Sequence, residues 1–252
     1  MLTKKSFLAA VTAGLMMVLP ATAARAAGGE VALLEAGNDI YNTASLQRGA
    51  RNFANYCLGC HSAKYVRWNR VAADLGIPEA ELKSLQFSGG RPFDTMQSAM
   101  SSADAQRWFG NAPPDLSLIA RSRGTDYVYT FLMTFYEDAT RPHGVNNLAL
   151  PGTAMPHVLA SLQGSQKPVM QTHTGEDGKP VSVVEKLEQG EAGALKPAEY
   201  ASFVRDTVNF VEYIGEPVQT KRRDLGVWVI LFLLVFTGFA YLLKKEYWKD
   251  VK

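Results

Sequence analysis

Two cysteines stand three positions apart and a histidine follows the second: Cys57-Leu58-Gly59-Cys60-His61. They are the only cysteines among 252 residues. A disulfide between them would close so small a loop that it would stabilise little. A thioredoxin-type redox pair needs a βαβ setting, and the stretch before Cys57 is not a strand. Leu46, Ala50, Phe53, Ala54 and Cys57 follow helical spacing, with Ser45 as the expected N-cap. A zinc site needs further Cys or His at ligand spacing, and no second such pair is present. The remaining chemistry is covalent attachment of a c-type haem. Two thiols that add across the two vinyl groups on one porphyrin edge must lie a few residues apart. The next residue then lies under the ring, where its imidazole can ligate iron. Cys57 and Cys60 are therefore the expected attachment points and His61 the first axial ligand.

An electron-carrying haem has both axial positions filled, and methionine opposite histidine raises its reduction potential. Downstream of the motif the chain offers Met96, Met100, Met133, Met155 and Met170, with His143, His157 and His173. Most methionines are core filler. Met133 falls in the apolar run DYVYTFLMTFY, which reads as a core helix. Met96 and Met100 lie four apart in FDTMQSAMSS and read as one helix face. Met170 and His173 fall in a polar stretch. Met155 lies in LALPGTAMPHVLA, an irregular loop bounded by Pro151 and Pro156. Proline and glycine stiffen such a loop and let backbone approach a ring closely. Loop chemistry favours Met155 as the second ligand. His157 is the nearest competitor and is expected at the surface.

The elements that must hold these residues are mainly helical. Tyr200, Phe203, Val204, Val208, Val211 and Ile214 form a helical apolar stripe. Pro197 stands near its start and Gly215-Glu216-Pro217 stops it. This last helix should cross the one that precedes Cys57. Between them, residues 163–195 change character. Val169–Thr174 and Val181–Leu187 can pair as a short β-hairpin across GEDGK; a loop without regular structure is the alternative. From Glu176 to Glu216 nine acidic residues face four basic ones, either an ordinary solvated face or a surface that attracts a basic redox partner.

The two ends set the compartment. Lys4 and Lys5, a short apolar run from Phe7 to Leu19 and Ala24-Arg25-Ala26 form a signal peptide over 1–26, cleaved after Ala26. Leu225 to Leu243 is nineteen residues without a charge, close to the ~20 that cross a bilayer as a helix. Trp228 and Tyr241 sit near its ends, where aromatic rings favour the interface. The expected organisation is an exported haem domain over 27–220, a membrane anchor over 221–243 and a short tail over 244–252. That places the chain in a bacterial inner membrane with one pass, the haem domain periplasmic and the C-terminus cytoplasmic. The body from 27 to 224 holds 19 Lys and Arg against 22 Asp and Glu, about −3, which argues against nucleic acid as a partner.

Met155 lies 94 residues after His61, a longer gap than in small soluble cytochromes c. The intervening blocks PPDLS and RSRGTDYVY, the Met-Pro loop, CLGCHSAKYVRWNR and the single C-terminal span together resemble the cytochrome c1 family, the haem subunit of the cytochrome bc1 complex. The resemblance runs through essentially the whole mature chain. It implies a mainly α c-type haem domain with inserted loops and one covalent haem c, ligated by His61 and Met155. It implies that Pro113 and Pro114 begin the helix beside the haem, that Arg123 meets a propionate, and that Tyr127 forms part of the haem wall. The implied partners are cytochrome b, the Rieske iron–sulfur protein as electron donor and a cytochrome c as acceptor. On that reading the subunit is a one-electron carrier and makes or breaks no substrate bond. At WFGNAPP the chain departs from the family's longer Asn- and Gly-rich lead-in, so no pocket residue before Pro113 is assigned. Another membrane-anchored c-type cytochrome, feeding a terminal oxidase or reductase, is the alternative that the residues leave open.

Overall fold

The helix that delivers the CxxCH segment is α1, Thr43–Tyr56, in a computed structural model that describes residues 31–86, 90–174 and 180–250. The expected signal peptide lies outside these residues. Asn42 caps α1 by accepting from the Ser45 backbone N–H at 3.0 Å. Ser45 is therefore not the N-cap. It lies one turn inside, and its hydroxyl donates to Asp206 at 2.6 Å across a helix interface. Asn caps a helix as well as Ser does, which freed Ser45 for that second task.

The partner across the interface is the last helix of the haem domain, Pro197–Gly215. With intervening elements named in order below it is α8. Leu46, Ala50, Phe53 and Ala54 of α1 are buried, as are Tyr200, Val204, Val208, Val211 and Ile214 of α8. Phe53 and Phe210 pack with ring centroids 5.5 Å apart. Gly49 lets the two backbones touch. A Cβ there would stand 2.1 Å from the Asp206 carbonyl oxygen and 2.7 Å from Phe210 Cβ. Gly49→Ala is expected to force the helices apart and cost about 1–3 kcal/mol or more, the range for overpacking. Thermal unfolding of the purified protein would register it as a lowered midpoint. The Arg48–Asp206 ion pair at 2.6 Å adds less, because Arg48 is half exposed.

Between α1 and α8 the chain runs through β1 (Ala63–Arg67), α2 (Trp68–Leu75), α3 (Glu79–Leu85), β2 (Thr95–Met96) and α4 (Ser102–Phe109). There follow α5 (Ile119–Arg123), α6 (Thr125–Met133), β3 (Phe135–Glu137), β4 (Val145–Asn147), α7 (Ala160–Gln163), β5 (Gly164–Thr174) and β6 (Pro180–Ala192). The fold is mainly α, with three two-stranded antiparallel ladders. Two buried clusters form the core. One joins α1, α2 and α3 to Phe210 and Ile214; the other joins Tyr129 and Leu159 to Tyr200, Val204 and Val208.

Three local expectations change. The Met96–Met100 segment is not one helix face: Met96 is in β2, paired with Ala63 and fully buried, and Met100 lies in the turn before α4. Two apolar residues four apart also suit a strand followed by a turn, and Ser101 caps α4 only afterwards. Pro113 and Pro114 do not begin a helix. They lie in a segment that is neither helix nor strand, and α5 starts at Ile119. A residue before proline is pushed out of the helical region, so consecutive prolines keep this stretch open. The hairpin, by contrast, is longer than the two expected strands, with Gly164 paired to Ala192 at its base and Thr174 to Pro180 at its outer end.

The acidic run does not form one face. Asp206 is paired with Arg48, Glu212 accepts from Asn38 and Gln219, and Glu216 is bonded to Arg121 and Arg222. Helical periodicity turns these three inward, towards neighbouring elements, and leaves mainly the hairpin glutamates outside.

Only Glu216, Pro217 and Val218 separate α8 from the 29-residue α9, Gln219–Tyr247. The chain leading up to Leu225 is thus helical from Gln219 onward. At ~1.5 Å per residue α9 is about 43 Å long, enough for a hydrocarbon core of about 30 Å. Among the described residues it is the one helix long and apolar enough to cross a membrane. Glu216 locks the joint, with Arg222 of α9 at 2.5 Å and Arg121 of α5 at 3.1 Å. The Arg222 hydrogen bond, chiefly, holds the Glu216 carboxyl below the usual carboxylate range.

Candidate haem site

Where the two clusters meet, the chain leaves a cavity of about 360 Å³. Cys57, Leu116 and Ile119 reach it from the first cluster, and Tyr56, Val128 and Leu159 from the second. All seven residues singled out from sequence line it: Cys57, Cys60, His61, Pro114, Arg123, Tyr127 and Met155.

The CxxCH segment is the unwinding end of α1. Cys57 and Leu58 both donate backbone N–H groups to Phe53 O at 2.9 Å; Cys60 and His61 donate to Cys57 O at 3.1 and 2.8 Å. These turns bring both sulfur-bearing residues to the same cavity. Both thiols are free and half-buried. Burial, with a smaller contribution from Cys60, pushes the Cys57 thiol up to about 12, so it stays neutral and behaves as an apolar lining group.

His61 is oriented by the Pro-Pro segment. Leu116 N–H donates to Ser62 O at 2.8 Å, and Lys64 N–H to Asp115 at 3.0 Å. This pairing sets the Pro114 carbonyl 2.8 Å from His61 Nδ1. A carbonyl only accepts, so Nδ1 carries the proton and Nε2 keeps a free lone pair. Burial, the larger effect, lowers the His61 pKa against the raising effect of the Pro114 bond. The ring is therefore neutral at ordinary pH, in the state that can bind a metal ion.

Met155 is held by a loop wired with asparagines. Asn147, fully buried, donates to Phe131 O at 2.7 Å and accepts from Ala149 N–H at 2.9 Å and Leu150 N–H at 3.2 Å. Asn146 accepts from Gly152 N–H at 2.7 Å. Met155 N–H then reaches the Thr153 hydroxyl at 3.3 Å. Arg123 stands at the exposed rim with its guanidinium 5.4 Å from the Tyr127 ring centre, a cation–π arrangement, and has no carboxylate partner among the described residues. A free guanidinium on an otherwise apolar cavity suits a ligand that is flat, apolar and carries acidic groups at one edge.

His157 is not at the surface. It is half-buried and stacks on Phe135, with ring centres 4.8 Å apart and planes 6° apart. Burial lowers its imidazole pKa to about 4, against a smaller opposing effect of Gln163.

Two free thiols, an imidazole with Nδ1 already committed, a thioether and a rim cation are the donor set that a c-type haem uses, and the residues present fit that group. The Cytochrome C1 family model matches residues 35–251. The chain belongs to the cytochrome C1 family. Cytochrome c1 of Allochromatium vinosum is 49% identical over 236 residues, covering 93% of this chain and 96% of the relative. The ammonia monooxygenase gamma subunit of Nitrosomonas europaea is 44% identical over 238 residues, covering 94% and 96%. Cytochrome c1 of Rhodospirillum rubrum is 28% identical over 241 residues, covering 84% of each. As a family member the protein carries one covalently bound haem c and is a haem-based electron carrier of the cytochrome bc1 complex, with α9 fitting a single membrane anchor.

Several lining residues were not singled out from sequence. Phe109, Asn111 and Ala112 precede the prolines, and Phe131, Phe203 and Val211 face in from α6 and α8. Phe203 and Val211 were visible only as members of an apolar stripe, which does not tell core from cofactor wall. The Asn146-Asn147 pair before LALPG carried a turn signal that pointed to the loop it organises.

Proposed function

We propose that Cys57 and Cys60 would hold the haem through thioethers and that His61 and Met155 would ligate its iron. Each S–H adds across a vinyl C=C, sulfur to one carbon and hydrogen to the other, so attachment needs no oxidant. In this reading the haem domain over 27–220 is periplasmic, 221–243 spans the membrane and 244–252 is cytoplasmic. When bound, haem c supplies a one-electron iron couple that takes an electron from the Rieske iron–sulfur protein and gives it to a cytochrome c. The chain's own residues do the rest. Pro114 O fixes the His61 tautomer and makes Nε2 the better donor. The apolar walls from α6 and α8 keep water from the site, which, with a methionine ligand, favours a high reduction potential. Arg123 neutralises acidic groups at the rim, and Tyr127 supports it.

The observation that carries this reading is the convergence of Cys57, Cys60, His61 and Met155, from segments far apart in sequence, on one apolar cavity. The complex isolated from native membranes tests it. Cytochrome b and an iron–sulfur protein should co-purify, and quinol should reduce the haem rapidly. Removal of the iron–sulfur protein should stop that reduction while leaving oxidation by cytochrome c intact. Reduction at an unchanged rate without the iron–sulfur protein would refute the proposed donor. Recovery with an oxidase or another enzyme alone would favour a different c-type electron carrier, and the name of the Nitrosomonas relative makes that outcome worth scoring.

A further inference from the structure

We propose that His157 is a positioning residue for Met155: its ring, stacked on Phe135, pins the outgoing side of the Met155 loop. The inference rests on the reading of Met155 as an iron ligand. The incoming side of that loop is already fixed by Asn146, Asn147 and Thr153. The outgoing side has no such wiring. Pro156 has no N–H to donate, and His157 contributes its carbonyl to the Ala160 N–H at 3.1 Å. Beyond Val158 and Leu159, which join the second buried cluster further on, what holds this side next to Met155 is the ring face.

Phe135 is a firm base for the stack. It is 1% exposed. It sits in β3 opposite Asn147 of β4, and its carbonyl accepts from Gln166 at 2.8 Å. Its ring meets Phe131 edge-on at 5.1 Å, and Phe131 lines the cavity. The loop on which Met155 sits is thus tied to the cavity wall through His157, Phe135 and Phe131. The role uses the ring face: Nε2 is buried and makes no well-formed hydrogen bond, although Gln163 is near enough to oppose the effect of burial. An apolar ring should serve as well, and a side chain without a ring face should not.

The test uses the holoprotein in its complex, with His157→Ala, His157→Leu, His157→Phe and Met155→Ala compared with the parent. The readouts are the far-red absorption band of methionine–iron ligation in the oxidised state and the affinity for added cyanide, which competes for the methionine position. His157→Ala and His157→Leu should weaken the band and raise cyanide affinity about tenfold, the order expected when an aromatic pair and its burial are lost. His157→Phe should stay within about twofold of the parent, since it keeps the stack. If His157→Ala does not accumulate, the Leu and Phe variants decide between themselves. Leu and Phe behaving alike, in either direction, would overturn the positioning role. Met155→Ala that leaves both band and cyanide affinity unchanged would instead overturn the ligand assignment beneath it.

Discussion

Cells carrying Cys57→Ala together with Cys60→Ala should show no haem-dependent peroxidase stain at this chain's position on a denaturing gel, and little folded protein in the membrane. The first effect follows from having no other thiol in the chain to form a thioether. The second follows from the size of what the haem fills. A cavity of about 360 Å³ left empty costs on the order of 9 kcal/mol at the ~24 cal/mol per Å³ found for apolar cavities. That is comparable with the entire stability of a domain, about 5–15 kcal/mol. Water entering through the rim would relieve part of the cost, but the walls offer few partners for it. Quantitative blotting of membranes, alongside the stain, separates the two effects. A double variant that accumulates normally and still stains would contradict both the attachment chemistry and the energetic argument.

Met155→Ala should lower the reduction potential by on the order of 0.1 V, a fraction of the ~0.8 V range that axial ligation covers. For a one-electron couple ~59 mV is tenfold in an equilibrium constant, so the variant would accept an electron about fiftyfold less favourably. Met155→His should keep two strong ligands and a low-spin spectrum while still losing potential, because the sulfur that favours the reduced state is gone. Redox titration followed optically measures both. A potential unchanged in Met155→Ala would move the assignment to another residue.

How much of this was legible in the sequence depended on range. CxxCH is local: five consecutive residues carry the proposed attachment and first ligand, and α1 before them shows its apolar spacing openly. The α8 stripe and the charge-free anchor are equally local, and both are found where periodicity puts them. Met155 stood out as a cavity residue because Pro151, Gly152 and Pro156 mark a loop. His157 was misplaced because a polar residue after Pro156 reads as surface, and only the fold brings Phe135 beneath it. The Ser45 cap failed for a similar reason: two good capping residues lie three apart, and the choice between them is made by Asp206, 161 positions away. The prolines at 113 and 114 were assigned to a helix by resemblance alone, and their own backbone chemistry held the better answer.

The joint between α8 and α9 has a consequence for distance. Val211, on the cavity wall, is 14 residues before Leu225, the first of the uncharged anchor residues. At helical rise that is roughly 20–25 Å of chain, allowing for the three residues between helices. Glu216 braces that short lever with arginines on both sides. Lean of the anchor within the lipid would then reach the cofactor as a swing for as long as those ion pairs hold. Tunnelling between redox centres falls off steeply with separation, so an anchor tilt that moved the haem edge would change the rate of the electron's hop.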